Sequence, residues 1–444
     1  MKHTDDLNIE MKPIGSLKPN PRNARTHTDR QIDLIAKSID EFGFTNPIII
    51  DEQGNMLAGQ ARHAAAMRRG MKQVPTIKLG HMSAAQKRAY ILADNKLAEL
   101  ADWDFDILGE ELGLLLDEDI NFDMEVIGFD TAEIDQLVFG ATDKADAKEQ
   151  EEEPVELPGD EPVVSQLGDL WVVGMHRLLC GDALVPESYE HLLGGEKAQM
   201  VFTDPPYNVP ISGHVSGLGK KTHREFAMAS GEQSSPEFTA LLRKAMMRMA
   251  EVSVNGAIHF ICMDWRHARE MDEAGRAVYS ELKNICVWAK TNAGMGTFYR
   301  SQHEFVFAWK VGTAKHINNF GLGEKGRYRT NVWTYAGANT FRKGRDEDLA
   351  DHPTVKPVQM VEDAILDCSK QKGIILDPFA GVGTTLVAAR RAKRRGYGIE
   401  LDPAYVDCAL RRLQKETGTE PVLAKTGETF AEVAARRLAD REAA

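Results

Sequence analysis

Residues 374–402, IILDPFAGVGTTLVAARRAKRRGYGIELD, constrain the fold of this chain more than any other segment, because they read as strand, glycine turn, helix and strand in direct succession. Ile374 to Leu376 form a short apolar run, Gly381 and Gly383 permit a tight turn, and Thr384 onward carries helical spacing up to the basic end RRAKRR. A second apolar run, YGIEL, follows. The pattern predicts half of a nucleotide-binding α/β unit. Glu400 stands nineteen residues beyond Gly381, about the spacing at which an acid meets ribose hydroxyls in doubly wound folds. The turn lacks the third glycine of GxGxxG, which suits a cofactor with ribose but no pyrophosphate, such as S-adenosylmethionine. A generic βαβ crossover is the bland alternative.

A second constellation lies far upstream, where TDPPYN at 203–208 directly follows the apolar run MVF. An apolar strand there delivers Asp204 to the edge of a sheet, and Pro205 and Pro206 fix the backbone of the following turn while donating no hydrogen bond. A carboxylate oxygen beside a free carbonyl makes a two-acceptor clamp for an NH2 group, and the ring of Tyr207 offers a face on which a nucleobase can stack. By itself the string is also compatible with an ordinary strand ending in a Pro-Pro turn.

With these motifs in hand, residues 165–415 resemble the amino-methyltransferases of DNA, specifically the circularly permuted class in which DPPY precedes the glycine motif. The resemblance rests on DPPY at 204–207, HPTVKP at 352–357, DPFAGVGTT at 377–385 and GIELDPAYVDCALRRL at 398–413. It implies an α/β, doubly wound, seven-stranded methyltransferase sheet that uses S-adenosylmethionine. It assigns the clamp to Asp204, Pro205, Pro206 and Tyr207. Cofactor contacts carried over are Asp182 of LLCGDA, Thr354 and Lys356 of HPTVKP, then Asp377, Phe379, Gly381, Gly383, Thr384 and Glu400. For Asp182 a plain turn role stays open.

Seven apolar runs supply the strands: RLLCGD, AQMVFTD, GAIHFICM, NICVWAK, HEFVFAWK, GIILD and YGIEL. NICVWAK and HEFVFAWK are close enough to pair antiparallel at one edge, with Trp288 and Trp309 as core residues. The expected reaction is methyl transfer to adenine N6 of double-stranded DNA after the base is flipped out. Asp before PPY favours adenine over the N4 position of cytosine by family resemblance. A ParB-like DNA- or nucleotide-binding protein with a silent methyltransferase part is the alternative from another class, and methylation of RNA or protein is a third. No metal is expected, because HExxH and CxxC are absent and the five cysteines are scattered singly.

The chain has a formal net charge of −13, yet between residues 281 and 345 eleven Lys or Arg stand against three Asp or Glu. Such local basic density is what phosphate neutralisation needs. Arg300, Arg327, Arg329, Arg342, Lys343 and Arg345 are the DNA-contacting candidates, within a target-recognition region placed at about 311–350. A solvated basic loop is the alternative for each of them. RRAKRR fits a helix C-terminus complementing the macrodipole better than a DNA patch.

The front of the chain, 8–140, resembles the ParB-type fold, a smaller α+β domain with its core to about residue 100 and helices beyond. The resemblance rests on the stretch LKPNPRNARTH, the strand PIIID and the GxxR turn at Gly59 to Arg62. A glycine-led helix start with an arginine beside it is a candidate phosphate site at Gly59 and Arg62. Ala61 and His63 depart from the adjacent arginines of the partition proteins. A docking or structural module using Arg62, Arg68 and Arg69 as surface charge is the alternative.

Residues 141–165 hold nine acidic and two basic residues with three prolines, which predicts an extended flexible linker. The methyltransferase domain is placed at 166–420, and 421–444 reads as a short exposed tail helix of no evident chemistry. No apolar stretch reaches membrane-spanning length, the N-terminus is unlike a signal peptide, and the scattered cysteines suggest a cytoplasmic protein. A homodimer comes with the family resemblance.

Overall fold

The computed structural model describes residues 8–118, 120, 122–140, 158–159, 162–208, 231–291, 298–323, 327–336 and 355–442. It divides into two compact units, residues 1–140 and 141–444.

The first unit is built on a four-stranded sheet of β1 (Ile9–Pro13), β2 (Ile48–Ile50), β3 (Met56–Ala58) and β4 (Gln73–Lys78), in the order β1-β4-β2-β3. Its strands are short, and Ile48, Ile50, Met56 and Val74 close a small core with Ile14 and Leu17. Helix Asp29–Phe42 packs against helix Gln60–Arg68. Gly59 caps the latter at φ +95, a backbone that side-chain-bearing residues rarely adopt. Farther on, helices Phe105–Asp117 and Thr131–Phe139 pack on each other around Leu108, Leu112, Leu116 and Ile134.

The second unit carries a ten-stranded sheet. In chain order its strands are β5 (Leu170–Val173), β6 (His176–Cys180), β7 (Ala198–Thr203), β8 (Ser253–Met263), β9 (Glu281–Lys290), β10 (His303–Lys310), β11 (Val332–Tyr335), β12 (Ile374–Asp377), β13 (Arg395–Glu400) and β14 (Val422–Leu423). Their spatial order is β11-β9-β10-β8-β7-β12-β13-β6-β5-β14. All seven expected strands are present, and three short ones extend the sheet at its two ends. β9 and β10 do pair antiparallel, but β11 covers β9 in parallel, so the pair is not an edge.

Strands β6, β13, β12, β7 and β8 run parallel, so their carboxyl ends share one sheet edge. From β7 the chain continues to its neighbour β8 on one side, and from β12 to β13 on the other. The order therefore reverses between β7 and β12, which is where open α/β sheets bind their ligands. Trp171, Trp288 and Trp309 are fully buried, as expected of core residues for the latter two. Trp309 stacks on Tyr279, with centroids 5.5 Å apart, and lies close against Gly275 of helix Ala268–Val278.

Two boundary expectations need correction. Val164 and Ser165, at the end of the expected linker, are buried, and their amides donate to the two oxygens of Asp407 at 2.6 and 3.0 Å. The tail is integral: β14 pairs with β5, Phe430 packs on Trp171, and Arg437 pairs with Asp169 at 2.5 Å. Apolar partners so far away in sequence cannot be read from a short amphipathic pattern. Residues 141–157 and 160–161 of the linker lie outside the described residues. Among the described residues, no helix is long and apolar enough to cross a membrane.

Candidate active site

Asp204 leaves the end of β7 at the point where the strand order reverses, with the end of β12 on one side and β8 on the other. Pro205 is buried and the following residues, Pro206 and Tyr207, are half-buried. Asn208 sits at φ +53 and pins the chain: its side chain donates to Gln233 O at 2.8 Å and accepts from the amides of Gly231 and Gln233, each at 3.1 Å.

The Asp204 carboxylate is held from two sides. The Tyr207 hydroxyl donates to Oδ1 at 2.5 Å, and the Lys356 ammonium donates to Oδ2. Lys356 Nζ also lies 3.1 Å from Glu304 on β10 and 5.4 Å from the centre of the Tyr207 ring. Burial pushes the Asp204 carboxyl above its ordinary value, further than Lys356 pulls it down. Burial acts against the Lys356 charge as well, but the two carboxylates outweigh it and hold the ammonium above the usual lysine range. Burial acts against the charge of the half-buried Glu304 too, yet Lys356 and Lys290 bring it down to about 2. Lys356, expected at the cofactor, therefore has its charge on the clamp.

Along the same edge lies a second group of expected residues. Gly381 at φ +51 and Gly383 at φ +77 form the turn ahead of helix Thr384–Arg391. Glu400 closes β13, its Oε2 accepting from Gly381 N and its Oε1 from Asp402 N, both at 2.8 Å. Burial raises this carboxyl to about 7. Next door, Glu400 pairs in register with Cys180, and Gly181 N donates to Glu400 O at 2.9 Å, which sets Asp182 beside it. Asp182 also accepts from Leu184 N at 2.8 Å, so its turn role is present in the same residue.

Two further candidates turn inward. The Asp377 oxygens accept from Thr203 at 2.7 Å and Thr385 at 2.6 Å, and the carboxyl is 4% exposed and raised to about 6 by its burial. It braces β12 against β7 and the following helix, leaving no oxygen turned to a ligand. The Thr384 hydroxyl accepts from Arg412 at 2.9 Å.

A group with a ribose and a purine fits what remains. A Cβ built on Gly381 would meet no atom within 4 Å, so open space lies over the turn. Around it stand the half-exposed carboxylates of Glu400 and Asp182 as acceptors and the half-buried ring of Phe379.

The basic candidates part company. Arg327 is only 3% exposed, and its guanidinium lies 3.1 Å from Asp367 and 3.2 Å from Asp363. Arg329 pairs with Asp367 at 2.8 Å. Both charges are neutralised inside the protein, and the expected phosphate contact for them is corrected. Sequence shows the basic run but not the acids of helix Val358–Cys368 that meet it. Arg300 is exposed, with Phe298 and Tyr299 beside it. Thr354, Arg342, Lys343 and Arg345 lie outside the described residues, as does His352.

In the first unit, Arg62 folds back under its own helix start: its Nη2 donates to Pro47 O at 3.4 Å, and a Cβ on Gly59 would lie 3.1 Å from it. The guanidinium thus lies beneath the turn, with its Nε making no hydrogen bond. Arg68 pairs with Asp29 and Asp33, and Arg69 with Asp40, so neither is free surface charge.

Glu304, Lys290, Thr203 and Thr385 were missed by sequence reasoning. Nothing in their local spacing singles them out; only the sheet order assembles them.

Residues 198–411 match the family model of DNA methylases, 2–102 the ParB N-terminal domain, and 106–167 the ParB-methyltransferase HTH domain. The chain is 29% identical to the type II methyltransferase M2.DpnII of Streptococcus pneumoniae over 240 residues, covering 50% of this chain and 85% of the relative. It is 40% identical to the ParB-like nuclease domain-containing protein YnaK of Escherichia coli K12 over 85 residues, covering 19% of this chain and 98% of YnaK. The solved M1.HpyAVI–SAM complex aligns at 20% identity with a TM-score of 0.38, over 53% of this chain and 98% of that one. DNA methylases take the methyl group from S-adenosylmethionine. The chain thus carries a DNA methylase domain at residues 198–411, with a ParB N-terminal domain and a ParB-methyltransferase HTH domain ahead of it.

Proposed function

We propose that this DNA methyltransferase acts on the N6 amino group of adenine in double-stranded DNA, after the base is flipped into the pocket at the β7 edge. The observation that carries the reading is the Asp204 carboxyl, delivered to the sheet's reversal point and paired there with the Lys356 ammonium.

Bound S-adenosylmethionine supplies an electrophilic methyl group. Glu400, Asp182, Phe379 and Gly381 are the residues that would hold it. Asp204 accepts one hydrogen of the target amino group, and the carbonyl of Pro205 accepts the other. The pull of two acceptors localises the nitrogen lone pair, which in a free base is delocalised into the ring. Tyr207 is held by its bond to Asp204 so that its ring forms a wall for the base. Desolvation makes this clamp stronger than it would be in water, and its preorganisation supplies most of the rate advantage. Asp in place of the Ser of cytosine-modifying relatives supports adenine as the base.

Nucleoside mass spectrometry on unmethylated plasmid DNA, incubated with the protein and S-adenosylmethionine, tests the reading. N6-methyladenine supports it; N4-methylcytosine keeps the clamp and overturns the base. Cytoplasmic location and a homodimer belong to the same reading, and sedimentation of the full chain tests the latter.

A further inference from the structure

The Lys356 ammonium has two carboxylate partners, and only one belongs to the DPPY segment. The other, Glu304, stands at the start of β10, directly opposite Trp288 of β9. It takes a second ammonium, Lys290 Nζ, at 2.5 Å, and its Oε2 lies 3.2 Å from the Tyr207 hydroxyl. Lys290 and Lys356 flank the Trp288 ring, 4.7 and 5.8 Å from its centre. The four charges sum to zero on side chains drawn from four separate segments.

A single carboxylate would suffice to neutralise Lys356. A second buried one is costly unless matched, and Lys290 matches it. The arrangement solves a conflict built into the clamp. Without a bound base, Tyr207 holds one oxygen of Asp204 and Lys356 the other. Each oxygen keeps a second lone pair, but the ammonium draws on the same charge that an arriving amino group must use, and in a desolvated pocket the two compete. With Glu304 3.1 Å from the same ammonium, Lys356 can give up Asp204 and still keep a charge-assisted bond.

We propose that Glu304 is a positioning residue for methyl transfer: it receives the Lys356 ammonium as the target amino group engages Asp204, and so frees an acceptor oxygen of Asp204. The role rests on the amino-methyl transfer reading above. Asp204 is faced by Tyr207 from its own loop, Lys356 from the segment before helix Val358–Cys368, Glu304 from β10, Cys262 from β8 and Asp377 from β12. Removing Glu304 leaves Lys356 committed to Asp204 alone.

The test compares full-length wild-type protein with Glu304→Gln, Glu304→Asp and the double variant Glu304→Gln/Lys356→Met, on unmethylated plasmid DNA. Glu304→Gln is expected to lower kcat on the order of tenfold to hundredfold, the scale of a lost preorganised polar contact. Calorimetric affinity for S-adenosylmethionine stays unchanged, and the acid limb of kcat moves to lower pH because Asp204 is then paired more tightly. Above that limb the double variant regains part of the lost kcat, and Glu304→Asp retains part of it. A Glu304→Gln protein with wild-type kcat overturns the role. So do an unmoved acid limb and deficits that simply multiply in the double variant, which mark a merely structural residue. Should Glu304→Gln lose cofactor binding, Glu304→Asp decides by the same limb and kcat. A wild-type protein that methylates no DNA base overturns the reading of the site itself, and that outcome is seen before any variant is made.

Discussion

Lys356 donates to Asp204 across 152 residues of chain, and this bond joins the segment before helix Val358–Cys368 to the end of β7. Burial already pushes the Asp204 carboxyl upward, and Lys356 is the largest influence opposing it. Without the ammonium, Asp204 titrates higher still, and a protonated carboxyl offers one acceptor fewer. Lys356→Met is therefore expected to shift the acid limb of kcat to higher pH, with a loss at neutral pH of roughly tenfold to hundredfold that shrinks as pH rises. A pH–rate profile from pH 6 to 9 checks it.

Glu400 titrates near 7 because the partial burial of its carboxyl disfavours the charge, although two amides favour its charged form. Its folded value lies above the ordinary one, so it is protonated below about pH 7 and gains full acceptor strength only above. Affinity for S-adenosylmethionine is expected to rise between pH 6 and 8 in the wild type. Glu400→Gln flattens that rise and weakens binding about tenfold at pH 8, the worth of a hydrogen bond to a charged group. Calorimetry at both pH values measures the difference.

Arg327 and Arg300 separate structural from DNA-facing charge. Arg327→Met leaves Asp363 and Asp367 short of a buried partner and is expected to cost about 3 kcal/mol of stability, read by chemical denaturation. Its effect on the salt dependence of DNA binding is nil. Arg300→Ala is expected to spare stability and to lower the slope of log K against log salt by about one, the share of a single phosphate contact.

Gly275 permits the close approach of Trp309: a Cβ there would lie 2.2 Å from the indole. The indole is fully buried and stacked on Tyr279, so it has nowhere to go. Gly275→Ala is expected to destabilise the methylase unit by about 1–3 kcal/mol through overpacking, despite alanine's better helix propensity. A thermal melt of the full chain shows it as a lowered midpoint for that unit.

Much of the sheet was legible because its strands are continuous apolar runs, and the turn at Gly381 and Gly383 because positive φ demands glycine. β5, β11 and β14 were not, since they are only two to four residues long and, unlike the equally short β12, lead into no glycine motif. The two-helix element at 105–139 was seen only as helical, because its helix-turn-helix character lies in how the helices pack.

The sequence by itself determined the fold class, the clamp tetrapeptide and the glycine turn, all of which are local patterns of backbone restriction and apolar spacing. Tertiary structure alone decided how charge is used. It placed Lys356 on Asp204, drew Glu304 and Lys290 into the same site, and matched Arg327 and Arg329 with Asp363 and Asp367. The physical reason is that an apolar residue announces its burial by type, whereas a charge is set by whichever opposite charge the fold brings within a few ångströms, and sequence spacing carries no record of that distance.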